Sequence, residues 1–184
     1  ISDLIDSTTT YARLGYSLDE SSELAKYTAM LKNVGDIDVG DAQNSITAII
    51  KAFDIDASEI ESVMNKLVVT GNNFPISVAE IAEGMNNASS ALAAAGNTFE
   101  QSVALLTAAN TTVQDASKSS TGLRTIAARI RNTSTELSEL GEEPIETSKY
   151  AKLVEQLSHY KVALTDINGE YRSTYDIMQD LSKA

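Results

Sequence analysis

Residues 74–131 have the sequence FPISVAEIAEGMNNASSALAAAGNTFEQSVALLTAANTTVQDASKSSTGLRTIAARIR and decide the fold class of this chain. Two capping boxes mark helix starts within it, since Ser77 is followed by Glu80 and Thr98 by Gln101. In a capping box the hydroxyl and the carboxylate or amide satisfy backbone groups that the first helical turn leaves free. The stretch therefore predicts consecutive short α-helices.

Apolar residues recur at helical spacing after these starts. Gly96-Asn97 predicts the break between the first two helices. The two following stripes consist of Phe99, Val103, Leu106 and Val113, and of Leu123, Ile126, Ala127 and Ile130. Such stripes indicate amphipathic helices packed on a common core. The Ala-rich run Ala88–Ala95 predicts either a tight helix crossing inside the bundle, which we favour, or a surface for partner helices.

The same stretch resembles a known protein family. Residues 71–110, GNNFPISVAEIAEGMNNASSALAAAGNTFEQSVALLTAAN, and residues 122–131, GLRTIAARIR, are similar to the core module of tail tape-measure proteins from tailed bacteriophages and prophages. The resemblance covers residues 15–131 well and continues more weakly to the end of the chain. These are structural motifs rather than a catalytic fingerprint, so they indicate a family more strongly than a mechanism.

The resemblance implies a structural role in tail assembly. Proteins of this family are the scaffold on which tail-tube subunits polymerise, and their length sets tail length. They occupy the tail lumen of the virion, are present in the host cytoplasm during assembly, and leave with or ahead of the DNA at ejection. The implied partners are tail-tube subunits, tail-assembly chaperones and other copies of the same chain in a homo-oligomer.

Composition and charge narrow the function classes. The chain has 184 residues, a net charge of −12 and no cysteine, which excludes disulfides and thiolate metal sites. This charge argues against binding a nucleic-acid backbone, because affinity there comes from clustered Lys and Arg. For the one basic cluster, Arg124, Arg129 and Arg131, a solvated face or pairing with nearby acids is favoured over a partner patch. The apolar runs are far below the roughly 18 residues that span a bilayer.

The chain before residue 74 predicts four further helices. Their apolar positions are Leu4, Ile5, Tyr11 and Leu14; Leu24, Tyr27, Leu31 and Val34; Val39, Ala42, Ile46, Ile49, Ile50 and Phe53; and Ile60, Val63, Met64, Leu67 and Val68. Asp56 with Glu59 predicts a cap for the last of these helices.

Two regions follow from these patterns. Residues 1–140 are predicted to form a helical core of short antiparallel hairpins, in which residues 17–53 and 77–114 could be duplicated. Residues 141–184 predict a linker, a helix, a short β-hairpin and the start of a further helix capped by Ser173. The hairpin prediction rests on Asn168-Gly169, since both residues tolerate positive φ. The predicted fold class is therefore all-α, a multi-helix bundle with a minor β-hairpin near the C-terminus.

The sequence offers few groups for catalysis or metal binding. His159 lies beside Ser158, but adjacent helical positions point in different directions, so a nucleophile–base pair is not predicted. The segment Asp36–Asp41 partly matches a calcium loop, but Thr47 stands where a bidentate Glu is needed. We favour a turn and helix N-cap there.

The remaining candidates also favour structural roles. Glu142-Glu143 and the pair Glu136 and Glu139 lie in a polar segment, where nothing would desolvate them. Gly71 and Gly96 fit helix stops better than a phosphate cradle. We therefore predict no catalytic, cofactor-binding or metal-binding residues, no cofactor and no enzymatic activity.

Two hypotheses remain about how the segment acts. The chain starts without Met and stops inside an apparent helix, so we expect a piece of a longer protein. One continuous helix would span about 276 Å, but the glycine breaks favour a compact module rather than an extended ruler. The alternative to a tape-measure segment is a generic acidic helical adaptor with no phage role.

Overall fold

The computed structural model describes residues 2–184, apart from the side chain of Glu136. The chain is all-α, and 74% of it is helical. The described residues form ten α-helices and one 3₁₀ turn: α1 Ser2–Arg13, α2 Leu18–Gly35, α3 Val39–Ala52, the 3₁₀ turn Ala57–Glu59, α4 Ile60–Asn73, α5 Val78–Ala94, α6 Phe99–Val113, α7 Ala116–Arg131, α8 Ser134–Glu139, α9 Thr147–His159 and α10 Thr174–Leu181.

Both predicted capping boxes are confirmed. At the start of α5, the Ser77 hydroxyl accepts from the Glu80 amide at 3.1 Å, and the Glu80 carboxylate accepts from the Ser77 amide at 2.7 Å. Thr98 and Gln101 make the equivalent pair of bonds at the start of α6. A third box at Ser17 begins α2. These local devices fix where the helices begin.

The Ala-rich helix α5 lies at the centre of the bundle. It packs against α2, α3, α4, α6 and α7. Its small residues allow this close packing: a Cβ placed on Gly84 would lie 2.5 Å from Cδ2 of Leu106 on α6. Ala88 and Leu92 are buried in the same helix. The predicted crossing inside the bundle is therefore confirmed.

The predicted helical hairpins are present. The α2–α3 hairpin falls within residues 17–53 and the α5–α6 hairpin within 77–114. The two hairpins pack together through α3 and α5. Their origin by duplication, and the division of the chain at residue 140, stay predictions.

The predicted β-hairpin at Asn168-Gly169 is wrong. Residues 2–184, as described, contain one isolated antiparallel bridge, Thr165 with Tyr171, and no strand or sheet. Gly169 has a φ of 84°, whereas Asn168 does not adopt positive φ. A two-residue type I′ turn requires positive φ at both positions, so this loop is not that turn.

The loop is held instead by the Asp166 side chain. Its carboxylate accepts from the backbone amides of Asn168 and Glu170 at 2.8 and 3.0 Å. Beyond the bridge, the Arg172 guanidinium donates to the Ala163 carbonyl. Two backbone hydrogen bonds flank the bridge, from the Asp166 amide to the Glu170 carbonyl and from the Arg172 amide to the Leu164 carbonyl, but they do not extend into strands.

The C-terminal part has a small core of its own. Val162, Leu164 and Ile177 are buried together, and Ile130, Tyr150 and Leu157 pack against them. Hydrogen bonds join this part to the larger core: the Asn97 side chain accepts from the Tyr175 amide at 2.8 Å and donates to the Leu92 carbonyl.

Several predicted apolar positions are not in the core. Val34 and Val113 are 51% and 48% exposed. Leu4 and Ile5 in α1 and Leu14 just after it are exposed, and Tyr11 alone of the positions predicted for this helix is buried. The Tyr11 hydroxyl bonds to that of Thr28, which supplies the polar partner a buried phenol needs.

Candidate binding groove

A surface groove of about 1080 Å³ lies between α4 and α6. Residues 74–77 connect α4 to α5 and residues 95–98 connect α5 to α6, and both α4 and α6 pack against α5. We call this recess the α4–α6 groove.

Each helix contributes a stripe of side chains to the groove. Along α4 these include Ser62 and Val69, and along α6 they include Ala104 and Ala108. This spacing places each set on one helical face, distinct from the face buried in the core. Val69 is 58% exposed, and Phe74 at the end of α4 is 56% exposed. The groove therefore presents apolar surface to solvent.

The rim of the groove is acidic. Glu59, Glu61 and Glu100 line it, together with the single cation Lys66. Lys66 Nζ lies 2.6 Å from Glu100 Oε1 and holds the pKa of that carboxyl below its usual range. Because Lys66 is already paired with Glu100, the rim keeps an excess of negative charge.

The candidate catalytic residues are not brought together. His159 is exposed at the end of α9, and the Ser158 hydroxyl donates to the Glu155 carbonyl of its own helix. The Asp166 carboxylate is occupied by the loop amides described above. This arrangement offers no nucleophile–base contact at His159.

The segment Asp36–Asp41 is a helix–helix turn, in agreement with the favoured interpretation. Asp36 is the C-cap of α2 in the left-handed region, with a φ of 51°. Asp38 is the N-cap residue of α3, and Asp41 lies in its first turn. In the described part of the chain, no three His, Asp or Glu side chains form a group that could hold a metal ion.

The arginine cluster joins α7 to the C-terminal part. Arg129 forms an ion pair with Glu142. The Arg131 guanidinium lies 5.4 Å from the ring centroid of Tyr171, a cation–π distance. Arg129 thus pairs with an acid, as the favoured interpretation predicts, whereas Arg131 contacts an aromatic ring. For the predicted carboxylate pair Glu136 and Glu139, the side chain of Glu136 lies outside the described structure.

The two glycine predictions have different outcomes. Gly96 ends α5 with a φ of 77°, as a helix stop requires. Gly71 lies inside α4, two residues before its end, so the predicted stop there is wrong. A Cβ on Gly71 would meet Val78 Cγ2 at 2.7 Å, and the glycine therefore permits the close approach of α4 to α5.

Sequence analysis did not predict the α4–α6 groove. Its signal is the second stripe on α4, in which Val69 and Phe74 lie off the core-facing stripe. Isolated surface apolar residues are common in soluble proteins, so this pattern alone does not indicate a groove.

The structure is therefore an all-α bundle with an open groove between two of its helices. The candidate catalytic and metal-binding groups described above do not come together in a site. A family model for phage-related minor tail proteins matches residues 1–184. The chain therefore belongs to the phage-related minor tail protein family, which gives it a structural role in the phage tail and places it in the virion. No solved structure matches the chain.

None of the described helices combines the length and the apolarity needed to cross a bilayer.

Proposed function

We propose that this chain is a folded segment of a tail tape-measure protein. The parent protein takes part in tail assembly and in setting tail length, and it leaves through the tail with the DNA. Family membership supports a tail role over the full chain. The resemblance of residues 15–131 to tape-measure core modules supports the more specific assignment.

The observation that carries the proposal is the shared apolar core of α1–α6. Tyr11, Leu24, Ile46, Leu67, Met85 and Leu106 belong to one buried cluster although they come from six different helices. A ruler segment would extend to about 276 Å as one helix. The bundle instead folds the same residues back on themselves, so we assign this segment to assembly or docking rather than to length measurement.

The proposed role is structural rather than enzymatic. Its partners are tail-tube subunits, tail-assembly chaperones and other copies of the chain. It acts in the tail lumen after assembly in the host cytoplasm. The net charge of −12 is compatible with a conduit that does not retain DNA, because like charges repel. The helical adaptor with no phage role is disfavoured by the family match.

The test compares two changes to the parent gene, with tail length measured by electron microscopy. The first deletes residues 74–131, which are 58 residues and would span about 87 Å as an extended helix. The second is Ile46→Asp, which unfolds the bundle by burying a charge but keeps the residue count. A matched control, Asn44→Asp, places the same charge on the exposed face of α3.

If the segment is a folded assembly module, both changes should abolish tails although the protein is still made. The control should give normal tails. Tails about 87 Å shorter after the deletion, together with normal tails for Ile46→Asp, would instead show that the segment acts as ruler. Normal tails of unchanged length in both cases would contradict the tape-measure assignment.

A further inference from the structure

We propose that the α4–α6 groove binds a basic amphipathic helix of a partner protein. The occupant has an aliphatic stripe that faces the groove and Lys or Arg residues on its flanks. This proposal goes beyond the tape-measure function and does not depend on it.

The shape of the groove fits one helix. The wall formed by α4 is 14 residues long, which corresponds to about 21 Å or four helical turns. Side chains from α4 and α6 line its two sides, and exposed Ala104 and Ala108 keep the α6 wall low. A helix that enters such a groove is anchored by apolar residues at i, i+3 or i+4, and i+7.

The groove leaves two large apolar side chains exposed to solvent. Val69 and Phe74 are more than half exposed, although both lie at the groove. Phe99 and Val103, also in its lining, are almost fully buried and belong to the main core. An aliphatic stripe in the groove would remove Val69 and Phe74 from water and continue the existing core outward.

The acidic rim of the groove determines which kind of partner helix can bind. The carboxylates of Glu59 and Glu61 have no competing cation in the groove lining other than Lys66, which pairs with Glu100. An acidic helix would be repelled along this rim, whereas Lys or Arg on the flanks of a bound helix would meet carboxylates. The occupant is therefore basic.

The basic helix α7 of a second copy is a weaker fit. Two of its cations are already engaged within the chain, Arg129 with Glu142 and Arg131 over Tyr171. A helix from another protein needs no such rearrangement, and we commit to that occupant.

The experiment measures the binding of two fluorescein-labelled helical peptides of about 14 residues to the full chain by fluorescence anisotropy. Both peptides carry the same leucine stripe, one with Lys and the other with Glu on the flanks. The groove variant is Ala108→Arg, which adds bulk and positive charge to an exposed wall position. Ala12→Arg, at an exposed position on α1, is the matched control. Circular dichroism verifies that both variants are folded.

We expect the Lys peptide to bind, the Ala108→Arg change to weaken binding roughly tenfold or more, and the control to bind as the unchanged chain does. We also expect weaker binding at high salt, since the rim charges are exposed. Equal binding of the Lys and Glu peptides, or no binding of either, would overturn the proposal. Self-association that Ala108→Arg abolishes would also overturn it and assign the groove to a second copy.

Discussion

Helices α1–α7, residues 2–131, form a core that is stabilised differently from the C-terminal segment, residues 133–184. In the core, helices α2–α6 bury aliphatic side chains in one continuous cluster. In the C-terminal segment, α9 has no buried residue, and the local apolar cluster is small. The C-terminal segment therefore has less apolar burial to stabilise it than the preceding helices have. The two regions should respond differently to the same kind of change.

The largest expected effect comes from truncating a core side chain. Ile46 is fully buried on α3, so Ile46→Ala should lower the free energy of unfolding by about 2–5 kcal/mol through lost burial and a cavity. Leu157→Ala, at a half-buried position on the mostly exposed α9, should cost only about 1 kcal/mol because this side chain buries less apolar surface. Urea denaturation followed by circular dichroism measures both. Equal losses would contradict the distinction between the regions.

The next effect concerns the closest helix crossing in the core. Gly84→Val should destabilise the chain by about 1–3 kcal/mol, because its side chain would overlap the buried Leu106. The matched control is Gly122→Ala on α7, where a Cβ meets no atom within 4 Å. That change should stabilise by up to about 1 kcal/mol through helix propensity. If Gly84→Val left thermal stability unchanged, α5 and α6 would not be packed as closely as described.

A smaller and more local effect is expected for the contact between the two regions. Asn97→Ala removes the acceptor for the Tyr175 amide and should cost about 1–2 kcal/mol. Amide hydrogen exchange should become faster in α10, while the amides of α3 keep their protection. Asn87→Ala, at an exposed position on α5, is the control. Uniformly faster exchange in both regions would show that they unfold together.

The smallest effect is a pH dependence at the capping boxes. Hydrogen bonds from the Ser77 amide and hydroxyl hold the pKa of Glu80 below its ordinary value of 4.5. Because the folded-state pKa is lowered, this stabilisation is present above pH 4.5 and is lost as the pH falls through the folded-state pKa. Glu80→Gln keeps an acceptor but does not titrate, as Gln101 does naturally in the next box.

The Glu80→Gln variant should therefore lose less stability than the unchanged chain between pH 5 and pH 3. The difference should be below about 1 kcal/mol, since solvent screens the box. Thermal unfolding at a series of pH values measures it. Parallel pH profiles for the two chains would show that Glu80 contributes no titrating stabilisation.

The parts of the fold predicted from sequence are those fixed by local chemistry. Ser77, Thr98 and Ser173 cap helices as expected, because a cap depends only on residues within one turn. The stripe Leu24, Tyr27 and Leu31 is buried because it follows helical spacing. Fold class and most helix positions follow from such patterns.

The parts that were not predicted depend on long-range contacts. Asn168-Gly169 favours a hairpin locally, but Asp166 and Arg172 bind the backbone differently in the folded chain. Val113 continues an apolar stripe, yet it is exposed at the last residue of α6. The α4–α6 groove results from how α5 spaces its two neighbours, and no short motif encodes that spacing.

Small-angle X-ray scattering of the 184-residue chain tests the central claim, that this tail-protein segment is a compact module, most directly. A compact unit of this length has a radius of gyration of about 16 Å, and an unfolded chain about 46 Å. We expect a value close to the compact one, with a bell-shaped Kratky plot. A value near or above that of the unfolded chain would contradict the compact module and support an extended ruler.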